Sequence, residues 1–259
     1  MKTKMEIQIK KAVKAGNSSA VILPRAWLNQ EVRVELAKKS NETILLDVMD
    51  IVKKYIALSE IIGIYLTGSY ARGEENKESD IDVLIISKDK DKKMICEGIY
   101  NILIVSEELL KQKLENDLFP VGPMIREAKP LINSAYIESI KIKVSKKNVK
   151  WYMDTTKDKL KLIKEALKNA NKKVDNRVAY TLILRIRTLC IIQKLVSKQN
   201  YSKKSFVKLI AKISGSNNAY GSYLVIKDKI GKSNNTTKEE AEKLYGYLRK
   251  QLEDVKKII

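Results

Sequence analysis

The chain has 259 residues, 44% of them hydrophobic, which is length for about two domains and enough apolar mass to bury a core. It contains no histidine and two distant cysteines, Cys96 and Cys190, which excludes His-based nucleophile triads, His general bases and the usual zinc spacings. No run approaches the ~18 apolar residues needed to span a bilayer, so a cytoplasmic protein with reduced cysteines and no membrane partner is expected.

From the N-terminus, Met1-Lys2-Thr3-Lys4 leads into alternating Ile7/Ile9, not into a signal-peptide apolar block. Gly16-Asn17 is a turn signal, Val21-Ile22-Leu23 reads as a short strand stopped by Pro24, and Arg25 to Leu28 suits a single helical turn. Val32, Val34 and Leu36 alternate as a last strand. A unit this small closes no core of its own, so a homodimer is expected.

Leu45, Val48, Met49, Val52 and Ile56 then recur at helical spacing. After the apolar run Ile61 to Leu66 comes a sharp turn and a short helix, then the strand Asp82 to Ile86. Lys88 to Lys93 reads as a charged loop and Ile99 to Val105 as a third strand. Ser106-Glu107-Glu108 opens a helix through Leu114, with acids suiting its N-terminus. Pro120, Pro123 and Pro130 mark an irregular stretch over Phe119 to Leu131. This is the pattern of an α/β domain with a mixed sheet.

Beyond about residue 150 the periodicity is helical throughout. Thr155 with Asp158 is expected to open one helix, Val178 to Ile192 marks a second, and a third is capped by Ser202 and closed near Gly215. Tyr220, Tyr223 and Leu224 mark a fourth, and a capping box at Thr236/Glu239 opens the last. The expected division is a small β-rich unit over 1–40, an α/β domain over 41–145 and an all-α helical bundle over 146–259.

The net charge of +20 is uneven. Residues 141–259 carry 30 Lys/Arg against 10 Asp/Glu, whereas residues 41–140 carry 12 against 18. A surface this basic points to a polyanion, most commonly nucleic acid. A solvated Lys-rich surface is the competing reading.

The chemistry concentrates in Thr67-Gly68-Ser69-Tyr70-Ala71-Arg72-Gly73 and the following Asp80-Ile81-Asp82. A turn into a helix offers unpaired N–H groups and a positive dipole to an anion. Gly68 lets backbone approach phosphate closely, and the Ser69 hydroxyl is a donor. Asp80 and Asp82, two apart on a strand, send both carboxylates to one face. Two hard oxygen ligands suit Mg²⁺, which usually keeps one or two carboxylates plus substrate phosphates.

Gly68-Ser69, a short spacer, Gly73 and then Asp80-x-Asp82 on the next strand resemble the nucleotidyltransferase superfamily of the DNA polymerase β type. With Ala71-Arg72-Gly73 and Ser79, the stretch is most similar to the minimal nucleotidyltransferases of prokaryotes. The resemblance implies Mg²⁺-dependent transfer of a nucleoside monophosphate from an NTP to a hydroxyl, with pyrophosphate released and two metal ions clamping the attacking and leaving oxygens. It implies that Gly68 and Ser69 hold the β/γ phosphates and that Asp80 and Asp82 are the catalytic metal ligands. Arg72 either adds charge stabilisation or pairs with Glu74 or Glu75. The superfamily's third carboxylate falls here at Asn101, with Glu97 the nearest acid. An amide binds Mg²⁺ less well and cannot act as a base. Two functions therefore stay open. One is a transferase acting on a nucleic-acid or protein hydroxyl, as antitoxin-like members do on a toxin. The other is a nucleotide-binding, catalytically impaired DNA-binding regulator.

Lys14 to Pro24, with Gly16-Asn17-Ser18 before an apolar triplet and proline, resembles the AbrB/MazE-like swapped-hairpin family. That implies dimeric DNA binding, with Lys10, Lys11, Lys14 and Arg25 meeting phosphate irrespective of sequence. A dimerisation module without a DNA role is the alternative. The helical segment is similar to bundles that accompany minimal nucleotidyltransferases, fused or as a HEPN partner. The ribonuclease type of HEPN needs a histidine that this chain lacks.

Overall fold

The computed structural model describes residues 8, 10, 12–34, 39–76, 79–227 and 236–259. By its internal contacts the chain divides into two compact units, residues 1–47 and 48–259. In the first, β1 (Val13–Ala15) and β2 (Ser18–Ala20) form an antiparallel hairpin with Ala15 opposite Ser18. Gly16 turns it at φ +59°, the left-handed conformation a two-residue hairpin loop requires. Arg25–Trp27 makes the single helical turn read from the sequence.

The strands sit earlier than the apolar pattern suggested. A two-residue loop pairs the residues that flank it, so the ladder ends at Ala20 and Val21-Ile22-Leu23 is irregular chain, as are Val32 and Val34. The expected strand at Ile7 and Ile9, and the position of Leu36, lie outside the described residues. No described residue between 8 and 34 is buried, and Ile22 and Leu28 are each 70% exposed, so this hairpin has no core of its own.

Helix α1 (Asn41–Val52) crosses into the second unit. There β3 (Ile61–Thr67), α2 (Gly68–Arg72), β4 (Ile81–Ser87), β5 (Lys92–Glu97), β6 (Tyr100–Ser106), α3 (Glu107–Asn116), α4 (Val121–Glu127), β7 (Lys129–Ile132) and α5 (Ser134–Ser139) build a five-stranded mixed sheet with helices on it. The strand order is β5-β6-β4-β3-β7, with β4 and β6 parallel and the other pairs antiparallel. Val83, Leu84, Ile85 and Ile86 are fully buried, so β4 is covered on both faces, which is why it reads as an unbroken apolar run. The loop expected over Lys88 to Lys93 is shorter than that, because β5 begins at Lys92 and pairs with β6. The stretch Phe119 to Leu131 is not irregular. Its prolines sit at Pro120, the cap of α4, at Pro123 in its first turn, and at Pro130 on a sheet edge, three places that spare a missing N–H.

The helical region comprises α6 (Lys146–Asn169), α7 (Asn176–Val196), α8 (Lys203–Ser214), α9 (Asn218–Lys227) and α10 (Lys238–Ile258). Leu182, Ile186, Leu189, Ile192, Leu244, Leu248 and Val255 form its core. Among the described residues no helix is long and apolar enough to cross a membrane. Helix α6 begins well before Thr155, because Ser145 and Asn148 make a reciprocal capping box. The last helix is capped by Thr237 with Glu240, one residue beyond the expected pair.

Asn148 is buried and does more than cap. Its amide donates to the Leu114 and Lys143 carbonyls at 2.6 and 2.8 Å, and its oxygen accepts from the Ser145 N–H at 2.9 Å. It thereby ties α3 to the start of α6. Removing it forfeits these three hydrogen bonds, at about 0.5–1.5 kcal/mol each. Asn148→Ala is expected to lower the urea midpoint by the equivalent of about 2–4 kcal/mol without changing the m-value.

Candidate active site

The glycine turn, Asp82 and Asn101 converge at the ends of three adjacent strands. Thr67 lies opposite Asp82 on β4, and Asp82 lies beside Asn101 on β6. The Thr67 hydroxyl donates to the Asp82 carbonyl at 3.2 Å, which closes the end of β3 against β4. Gly68 follows at φ +67°, and a Cβ there would stand 2.1 Å from Asp82 Oδ2. Both the backbone conformation and the space therefore demand glycine. Gly73, also at φ +67°, ends α2 in the left-handed cap that glycine fills best. Before β4, Asn76 and Ser79 bond each other, with the Asn76 N–H donating to Ser79 Oγ at 2.9 Å. This delivers the exposed Asp80 just ahead of the strand.

Burial pushes the Asp82 carboxyl above its ordinary value. The Asn101 amide, donating to Asp82 Oδ1 at 3.4 Å, opposes that, as do the charges of Arg72 and Lys227, while Asp80 adds to it. Glu97 is not brought to this group. It pairs with Tyr100, the neighbour of Asn101, so strand alternation sends it to the other face, where its carboxylate holds Lys54 at 2.5 Å. Among the described residues no three His, Cys, Asp or Glu side chains cluster closely enough to hold a metal. The donor set at hand is two carboxylates, one of them partly shielded from water, plus an amide. That fits one hard cation completed by substrate oxygens.

Arg72 is held between two acids. Its Nε meets Glu74 at 3.0 Å and its Nη1 meets Glu127 at 2.5 Å, with all three side chains largely buried. The pairing with Glu74 is one the sequence suggested; Glu127 is not. Its other oxygen accepts the Gly68 N–H at 2.7 Å. The first backbone donor of the turn thus already faces a carboxylate, while the Ser69 hydroxyl has no hydrogen-bond partner among the described residues. Glu74 reaches the other way, accepting from the Ser202 hydroxyl at 2.6 Å and from the Lys203 and Lys204 N–H groups at 3.0 and 3.4 Å. These are the orphan donors at the start of α8, where a negative charge is favourable. Nothing in the local sequence flags Glu127, and Ser202 is legible only as a helix cap, because each lies more than fifty residues from its partner here. Of the basic residues assigned to DNA, Lys10, Lys14 and Arg25 are exposed on the N-terminal unit and Lys11 lies outside the described residues.

A model of the nucleotidyltransferase domain family matches residues 48–188, more than half of the chain. The chain belongs to the nucleotidyltransferase domain family. That segment contains the turn, both aspartates, Asn101 and Glu127. Two solved structures resemble it distantly. One is a nucleotidyltransferase-like protein from Exiguobacterium sibiricum 255-15, at 13% identity, covering 82% of this chain and 75% of that one, with a TM-score of 0.37. The other is spectinomycin adenyltransferase AAD(9) from Enterococcus faecialis with ATP and spectinomycin, at 14% identity, covering 81% and 98%, with a TM-score of 0.42. No curated protein matches the chain by sequence.

Gly68→Ala is expected to weaken nucleotide binding by at least about tenfold, roughly 1.4 kcal/mol, because Asp82 must move from its place. A nucleotide titration checks this, with a melting curve showing that the fold survives. Glu74 gives a pH prediction. Burial would raise its pKa, but the Ser202, Arg72, Lys203 and Lys204 donors together hold it down at about 2 against an ordinary 4.5. A depressed folded pKa stabilises the protein above the unfolded value and loses that contribution as pH falls through the folded one. The melting temperature of the native chain should therefore fall more steeply between pH 4.5 and about 2 than that of Glu74→Gln.

Proposed function

We propose that the protein transfers a nucleoside monophosphate from an NTP to a hydroxyl on a nucleic acid or a protein, releasing pyrophosphate. The observation that carries this reading is the contact between Gly68 and Asp82, where the absent Cβ is replaced by a carboxylate oxygen. Phosphate cradle and metal-ligand pair are then one site rather than two motifs near each other in sequence. Asp80 and Asp82 would hold Mg²⁺, which when bound supplies Lewis-acid polarisation of phosphate oxygens. Ser69 presents its hydroxyl to the phosphates, and Arg72, its charge balanced by Glu74 and Glu127, fixes the turn that receives them. Asn101 orients Asp82 through its amide but cannot take the acceptor's proton, so that proton passes to solvent and turnover is slow. The basic helical region, counted here as a separate domain from residue 146 beside domains over 1–40 and 41–145, would receive a polyanionic acceptor.

The same Asn101 favours a second reading, a nucleotide-sensing regulator with little catalysis. In it the exposed Lys10, Lys14 and Arg25 of the hairpin unit contact DNA and a second copy completes that unit.

The deciding experiment incubates the full chain with Mg²⁺, each α-labelled NTP and total RNA, DNA or cell extract, and follows label transfer. Transfer that disappears in Asp80→Asn/Asp82→Asn is the expected result. Asn101→Asp should raise the rate by roughly tenfold or more, in the range of a positioned general base or metal ligand. Tight NTP binding with no transfer to any acceptor, even in Asn101→Asp, would favour the regulator.

A further inference from the structure

A cavity of about 70 Å³ lies among α4, α7 and the segment leading into α8. A water molecule needs roughly 10–15 Å³ of such space, so about five heavy atoms fit, the size of a tetrahedral oxyanion. Four cations line it, Arg72, Arg126, Arg187 and Lys194, against a single carboxylate, Glu127. Neither Asp80 nor Asp82 takes part.

The charges do not balance within the protein. Arg72 is neutralised by Glu74 and Glu127. Arg126 makes no hydrogen bond or ion pair with a described residue. Lys194 Nζ donates to Gln199 Oε1 at 2.6 Å, a neutral acceptor. Arg187 is half-buried, and its polar partners are the phenol groups of Tyr201 and Tyr223, with its Cζ 5.5 Å from the Tyr201 ring. Three cations without a carboxylate partner therefore line one cavity, Arg126 and Lys194 from its exposed side and Arg187 from its half-buried side. Ile191 and Leu195 contribute apolar wall, which lowers the dielectric around the half-buried Arg187. A guanidinium withdrawn from water without a counter-charge is costly, and an anion in the cavity removes that cost.

We infer that this cavity binds a phosphate group, held by Arg126, Arg187 and Lys194. Glu127 is the partition between this site and the glycine turn, with one oxygen on the Gly68 N–H and the other on Arg72 at the cavity wall. The phosphate is either free inorganic phosphate or the terminal phosphate of a nucleotide. The first source is independent of the transferase reading and the second rests on it.

Inorganic phosphate is titrated calorimetrically into the full chain without metal, at constant ionic strength in chloride. Saturable one-site binding is expected. It should weaken at least about tenfold in Arg126→Gln/Lys194→Gln, whose exposed positions leave the fold intact, as charge-assisted hydrogen bonds are lost. Asp82→Asn should bind phosphate as the native chain does while losing Mg²⁺-dependent NTP binding, which separates failure of this site from failure of the transferase reading. Displacement of phosphate by ATP but not by AMP identifies the nucleotide's terminal phosphate as the ligand. Displacement by neither identifies free phosphate. No saturable binding to the native chain, or equal affinity in the double variant with an unchanged melting temperature, overturns the inference.

Discussion

The arrangement around the glycine turn depends on one guanidinium. Arg72 closes α2 and is gripped by Glu74 on one side and Glu127 on the other. Through Glu127 it is tied to α4, and through Glu74 to the start of α8. An ion group this sheltered gives little net stability, because desolvation offsets much of the Coulomb attraction. Its effect is positional. A planar fork bonded on two edges has one orientation, so it fixes Gly68 to Glu74 against α4. The same carboxylate that orients Arg72 also fills the Gly68 N–H. The turn is thereby held in one form by the protein's own anion.

Beside that framework, Asp82 is the electrically strained member. Burial and Asp80 push toward its protonated form, while Asn101, Arg72 and Lys227 push toward its charged form. A cation would tip this balance decisively toward the carboxylate. The amide at Asn101 gives the group a neutral hydrogen bond, where a carboxylate at the same register position would add a third negative charge. In the transferase proposed above, the site would keep the means to bind a metal-bound nucleotide and give up part of the means to activate an acceptor.

The placement of the candidate site residues was legible where it follows from local sequence. That Gly68, Asp80, Asp82 and Asn101 lie near one another could be read from strand order, because the strands beside or carrying them are adjacent and in register, whereas the significance of Asn101 came only from the resemblance. The helical region was legible for the same reason, with apolar stripes at Leu182, Ile186 and Leu189 now at its core. Long-range pairing was not legible. Glu127 sat in a proline-marked stretch that reads as irregular, and the prolines proved compatible with α4 because each occupies a place where no N–H is required. β5 was hidden by its charged residues, which an edge strand tolerates on purpose. At the N-terminus the apolar triplet Val21 to Leu23 outweighed the turn geometry in the sequence reading, whereas pairing follows the turn.

The bond from Glu74 to the start of α8 also bears on how the molecule is made. Its partners, Ser202, Lys203 and Lys204, lie about half the chain beyond it. A growing polypeptide completes the β3–β4 loop's sequence early, yet the anchor for that loop does not exist until residue 204 has been synthesised. Contacts of such separation are slow to close and close after local ones. The loop's final shape therefore belongs to the nearly finished chain, and a prematurely terminated fragment would carry the motif without the grip that sets it.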